Sequence, residues 1–76
     1  MSIKVYSTPR CSWCTVVKKY LISKNVCFEE VDVSQNREAA REMVQKSGQR
    51  GVPVIEINGN IIVGFDQVTI DRLLSA

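Results

Sequence analysis

The apolar run Ile3 to Tyr6 breaks at Ser7-Thr8-Pro9-Arg10, and from Cys11 onward the apolar residues recur at helical spacing. That change of period constrains the fold most. It predicts a buried central strand, an active-site loop and then a helix, in that order. It also places Cys11-Ser12-Trp13-Cys14 at the first helical turn. Two cysteines with two residues between them can close a small disulfide ring or rest as a reduced pair. At a helix start the leading thiol meets unpaired backbone N–H groups, which favour its thiolate. Such a pair can exchange electrons with another disulfide without a metal or an organic cofactor, so a small dithiol–disulfide oxidoreductase is expected.

The remaining elements follow from spacing. Trp13, Val16, Val17, Tyr20 and Leu21 outline the apolar side of the first helix, which Asn25 should end. Val26 to Val33 predicts a second strand. Its apolar residues change parity between Phe28 and Val31, which suits an edge strand or a bulge. Ser34-Gln35-Asn36 can cap a second helix bearing Ala39, Ala40, Met43 and Val44, closed near Ser47-Gly48. Val54 to Ile57 and Ile61 to Val63 flank Asn58-Gly59, the strongest short hairpin signal. Asp66 is the expected N-cap of a last helix, with Phe65 closing over Ile70 as a hydrophobic staple. The order β-α-β-α-β-β-α predicts an α/β fold: a four-stranded mixed sheet flanked by three helices, with residues 1–76 as one domain.

Composition bounds the setting. A chain this short buries only about 60% of the surface its unfolded form exposes, so its 45% apolar residues must serve one core. Three cysteines are too few for a disulfide framework. The start lacks the pattern of a secretory signal, and no segment approaches the roughly 20 apolar residues of a membrane span. Cytoplasmic location and no membrane partner are therefore expected. The formal charge of +2 comes without a basic stripe interleaved with aromatic residues, so no nucleic-acid partner is expected.

Within the pair, Cys11 is expected to be the attacking nucleophile, with Arg10 as a positive neighbour, and Cys14 the more covered resolving thiol. No histidine is present, which removes a Cys–His nucleophile pair and a histidine-containing zinc site. With no second CxxC and only Cys27 elsewhere, no metal site is expected in the monomer. Cys27, between Val26 and Phe28, is expected to be a core or partly buried residue. Lys4 is either a solvated strand-end cation or a contact to substrate, and Trp13 is expected to be partly exposed beside the pair.

These residues resemble the glutaredoxins and the small glutaredoxin-like hydrogen-donor proteins of the thioredoxin superfamily. The stretches that carry the likeness are Val5 to Cys14, Gly51-Val52-Pro53-Val54-Ile55 and Gly64-Phe65-Asp66. The resemblance implies a thioredoxin-like core, a cis peptide before Pro53 and an exposed Cys11 thiol. It also implies a substrate or glutathione groove around Lys4, Arg10, Ser12, Trp13, Val52, Pro53, Gly64, Phe65 and Asp66. Two departures stand out. Ser12-Trp13 replaces the Pro-Tyr common between the cysteines, and Gly64-Phe65 replaces a pair of glycines. The resemblance implies a monomer with no tightly bound cofactor that reduces protein disulfides or glutathione mixed disulfides. Glutathione is then the co-substrate, or thioredoxin reductase the electron donor with ribonucleotide reductase as a client. Ser12 also admits a different class, a dimeric carrier of a [2Fe–2S] cluster ligated by Cys11 and glutathione.

Overall fold

The computed structural model describes residues 2–75. The elements run β1 (Ile3–Ser7), α1 (Ser12–Ser23), β2 (Glu29–Asp32), α2 (Arg37–Ser47), β3 (Val54–Ile57), β4 (Asn60–Val63) and α3 (Gln67–Ser75). The strands form one four-stranded sheet in the order β2-β1-β3-β4. β1 pairs parallel with β2, while β1–β3 and β3–β4 are antiparallel. This is the expected α/β thioredoxin-like fold. No helix among the described residues is long and apolar enough to cross a membrane.

Strand alternation divides the interior in two. Val5, Ile55 and Ile62 lie opposite one another across β1, β3 and β4, and they pack with Val17, Leu21 and Ile70 from α1 and α3. Tyr6 and Val54 also pair, but point to the other face and pack with Met43 of α2. The same alternation explains the parity change near β2, the edge strand. Val26 and Phe28 pack against the α1/α3 core, whereas Val31 and Val33 pack against the α2 core. A segment covered on both faces needs no bulge to place apolar residues of both parities inside. Cys27 has the opposite parity to its neighbours, lies before β2 begins and is exposed, so the expectation of a buried position is corrected.

The ends of the elements follow local chemistry. Asn25 adopts a left-handed φ of 59° just past α1. Asn36 caps α2 by accepting a bond from the Ala39 N–H, and Gly48 closes it at φ 73°. Asn58 and Gly59 both have positive φ, 50° and 87°, as a two-residue hairpin loop requires.

A charged network absent from the sequence reading fastens α2 to the sheet. Tyr6, fully buried, donates its hydroxyl to Glu42. Lys46 reaches Glu42 at 3.0 Å and Glu56 at 2.8 Å, and Lys4 reaches Glu42 at 3.4 Å. The Tyr6 hydroxyl, followed by Lys46, holds the Glu42 carboxyl down to about 2 from an ordinary 4.5. Bonds to Glu56 and then Glu42 raise the Lys46 ammonium above its ordinary range. A depressed carboxyl contributes stability that is present above its unfolded value and lost as pH falls through the folded one. Acid melting should therefore show a loss between pH 4.5 and about 2 that Glu42→Gln removes. Identical pH profiles for the two proteins would contradict this assignment.

Candidate active site

β1 ends at Ser7, and the loop Thr8–Arg10 delivers Cys11 to the start of α1, where the Cys11 N–H bonds the Thr8 carbonyl at 3.3 Å. Cys11 is the helix N-cap, with extended backbone at φ −87° and ψ 108°. Its Sγ accepts a bond from the Cys14 N–H at 3.0 Å, so the sulfur itself occupies the capping position. Cys11 and Cys14 are joined as a disulfide with Cα atoms 5.2 Å apart. Cys11 is partly accessible and Cys14 is fully buried, the asymmetry expected of an attacking and a resolving thiol.

Beneath the loop, Ser7 is 1% exposed and donates its hydroxyl to Glu30 at 3.0 Å. Lys18, one turn beyond Cys14 on α1, bonds the same carboxylate oxygen at 2.6 Å. Glu30 thereby ties α1 to β1 from the edge strand, and the Lys18 ammonium lowers its carboxyl below the ordinary range.

Beside the disulfide lies a cleft of about 240 Å³ lined by Trp13, Val52, Pro53, Gly64 and Phe65. The Val52–Pro53 bond is cis, as the resemblance implied. The Pro53 carbonyl accepts the Gly64 N–H at 2.9 Å, which fixes the two walls relative to each other. Trp13 is 60% exposed and stacks on Phe65, with ring centroids 6.2 Å apart and planes inclined at 28°. Phe65 meets Tyr20 edge-on at 5.4 Å, and the Tyr20 hydroxyl donates to Asp71. Three aromatic rings thus bridge one side of α1 and the start of α3. Phe65 also packs on the core that contains Ile70, as a staple residue should.

The structure does not bring every expected groove residue together. Asp66 caps α3: its carboxylate accepts the Thr69 hydroxyl at 2.7 Å and the Thr69 N–H at 3.2 Å, and these bonds lower its carboxyl. Arg10 and Ser12 are exposed beside Cys11. Lys4 does not line the cleft; its ammonium is held by Glu42 on α2. The sequence reading missed Tyr20 as a support for Phe65, although Tyr20 sits two helical turns after Trp13. Among the described residues no three His, Cys, Asp or Glu side chains converge on a metal position.

A thioredoxin-like fold with a Cys-x-x-Cys disulfide at the start of α1 is a thiol–disulfide oxidoreductase. The glutaredoxin family model matches residues 3–62, and the chain belongs to that family. An uncharacterized glutaredoxin-like 8.6 kDa protein in the rubredoxin operon of Clostridium pasteurianum is 53% identical over 72 residues, covering 95% of this chain and 96% of that one. The N-acetyl-S-hydroxy-L-cysteine reductase of Bacillus subtilis is 41% identical over 75 residues, covering 96% of this chain and 80% of that one. Among solved structures, the NrdH-redoxin of Escherichia coli, a glutaredoxin-like protein with a thioredoxin-like activity profile, superposes with a TM-score of 0.84. It is 29% identical, with 96% of this chain and 95% of that chain covered.

Proposed function

We propose that the enzyme reduces protein disulfides through Cys11 and takes its electrons from a flavoprotein of the thioredoxin reductase class in preference to glutathione. The Cys11 thiolate attacks one sulfur of the client disulfide, and the departing client thiolate takes up a proton. Cys14 then attacks Cys11 Sγ, re-forming the Cys11–Cys14 disulfide and releasing the second client thiol. Two electrons pass to the client. The Cys14 N–H that bonds Cys11 Sγ in the disulfide is placed to hold the thiolate once the ring opens.

The observation that supports this donor preference is the Trp13–Phe65 stack over the cleft. It offers aromatic surface, which suits a protein face, whereas Lys4 is already paired with Glu42 and Asp66 with Thr69. Likeness to the NrdH-redoxin, with its thioredoxin-like activity profile, supports the same reading, and a ribonucleotide reductase is one client class we propose. Glutathione is the second donor: the cleft can admit its cysteinyl side chain with the peptide lying along Val52. Side-by-side turnover of one protein disulfide, with thioredoxin reductase and NADPH or with glutathione and its reductase, tests the preference. The flavoprotein should support at least about tenfold faster turnover, a difference of about 1.4 kcal/mol in the barrier. Equal or reversed rates would assign the protein to glutathione.

The Bacillus subtilis relative supports a further substrate class, small cysteine sulfenic acids. Attack by Cys11 on the S-hydroxy sulfur would expel water and leave a mixed disulfide, which Cys14 resolves to release the thiol. Consumption of N-acetyl-S-hydroxycysteine by the reduced protein, one equivalent per dithiol, is the expected result. No consumption would remove this substrate.

A further inference from the structure

Between α2 and β3, outside the dithiol cleft, the Gln49 side-chain amide closes on the backbone of Gly51. Its Oε1 accepts the Gly51 N–H at 2.6 Å, and its Nε2 donates to the Gly51 carbonyl at 3.1 Å. Nε2 also donates to the Ser47 hydroxyl oxygen at 3.1 Å, and that hydroxyl donates to the Met43 carbonyl at 2.7 Å. The amide thereby uses its acceptor and both of its donors. Met43 belongs to the core beneath α2, so the half-buried Gln49 ties this loop to the scaffold. Gly51 has both backbone groups engaged by Gln49. Pro53 has no N–H and gives its carbonyl to Gly64, and Val54 is paired within the sheet. Of residues 51–54, Val52 alone keeps both its N–H and its carbonyl without a partner among the described residues. Val52 also lines the dithiol cleft.

We propose that Gln49 is a positioning residue for disulfide reduction: by gripping Gly51 it holds the open Val52 edge where an extended client backbone pairs with it, beside the dithiol. The inference rests on the dithiol reading and adds what the client must offer, main-chain N–H and C=O groups and not one particular side chain. A donor and an acceptor on one residue exchange two hydrogen bonds with one client residue, as in an antiparallel ladder. Such bonds orient the reacting disulfide only while the edge stays in place, and a misplacement of about 1 Å can cost about a hundredfold in rate. Gly51 is the matched half of the grip. A Cβ there would stand 2.8 Å from Gln49 Oε1, too close for both atoms to stay, while the Gly51 backbone needs no positive φ. Gly51→Ala therefore keeps the path of the chain and evicts the amide. Gln49→Ala removes the same contact from the other side.

The test follows the pre-reduced full chain in single-turnover reactions with two disulfides. One is a short peptide closed by its own disulfide, and the other is bis(2-hydroxyethyl) disulfide, which has no backbone. Gln49→Ala should lower the second-order rate constant on the peptide about tenfold and leave that on the small disulfide within about twofold. Gly51→Ala should do the same. Because both changes break one contact, the double variant should fall no more than about twofold below either single one. Hydrogen exchange reads the edge directly. In Cys14→Ser protein joined to the peptide through Cys11, exchange of the Val52 amide, followed by NMR, should slow at least about tenfold relative to the unjoined protein. Adding Gln49→Ala should remove that protection. Thermal melts verify that each variant is folded at the assay temperature. Unchanged peptide rates in Gln49→Ala, equal losses on both disulfides, or multiplied losses in the double variant overturn the assignment. So does a Val52 amide that stays protected without Gln49. A wild-type chain that reduces neither disulfide overturns the dithiol reading and this proposal with it.

Discussion

Cys11→Ser is expected to abolish disulfide reduction, with turnover at least about a thousandfold below wild type, or about 4 kcal/mol of lost transition-state stabilisation. A serine hydroxyl can still cap α1 from the same position, so the helix and the fold should persist. It cannot supply a thiolate, and no other thiol can replace it: Cys14 is fully buried, and Cys27 lies outside the cleft at the far end of α1. Cys14→Ser should behave differently. The first exchange still proceeds, because the partly accessible Cys11 sulfur is intact, but the mixed disulfide on Cys11 is not resolved from within. Intact mass after mixing with a protein disulfide should show a covalent adduct in Cys14→Ser and none in Cys11→Ser. More than about a tenth of wild-type turnover in Cys11→Ser would reject Cys11 as the attacking thiol.

The chemistry was legible in the sequence because it is local. A CxxC at a change of apolar period specifies a capped, partly exposed sulfur followed by a covered one, and both are found. Asn58-Gly59 and the Asp66 cap were legible for the same reason, since each depends on residues within one turn. What escaped involves partners distant in the chain. Lys4 has no local signal that it will meet Glu42, and Tyr6 gives none that its hydroxyl will end there too. Glu42 and Lys46 are spaced as a helical ion pair, but nothing in that spacing reveals Glu56 across the sheet. Cys27 was misplaced because apolar neighbours on both sides suggested burial, whereas in an extended segment they argue for the opposite face.

Ile55→Ala is expected to unsettle the scaffold while leaving the chemistry in place. Ile55 is fully buried in β3, between Val5 and Ile62 on the neighbouring strands, and belongs to the core that seats α1 and α3. Neither its side chain nor its backbone lines the dithiol cleft. Truncation to alanine removes three buried carbons, and little can collapse into the space between paired strands, so the cost should be about 2–5 kcal/mol. A chain of 76 residues has a total stability of about 4–11 kcal/mol, so this one change takes a large share of it. At about 4–8 °C per kcal/mol for a domain of this size, the melting temperature should fall by about 10–30 °C. Val68→Ala serves as the control, because Val68 is 69% exposed and its truncation should cost less than about 0.5 kcal/mol. At a temperature well below both transitions, the Ile55 variant should reduce disulfides at near wild-type rate, since Cys11 and its Cys14 N–H donor are set by α1. A melting temperature within about 3 °C of wild type would mean that the core relaxes around the site and that Ile55 is not the keystone its burial implies.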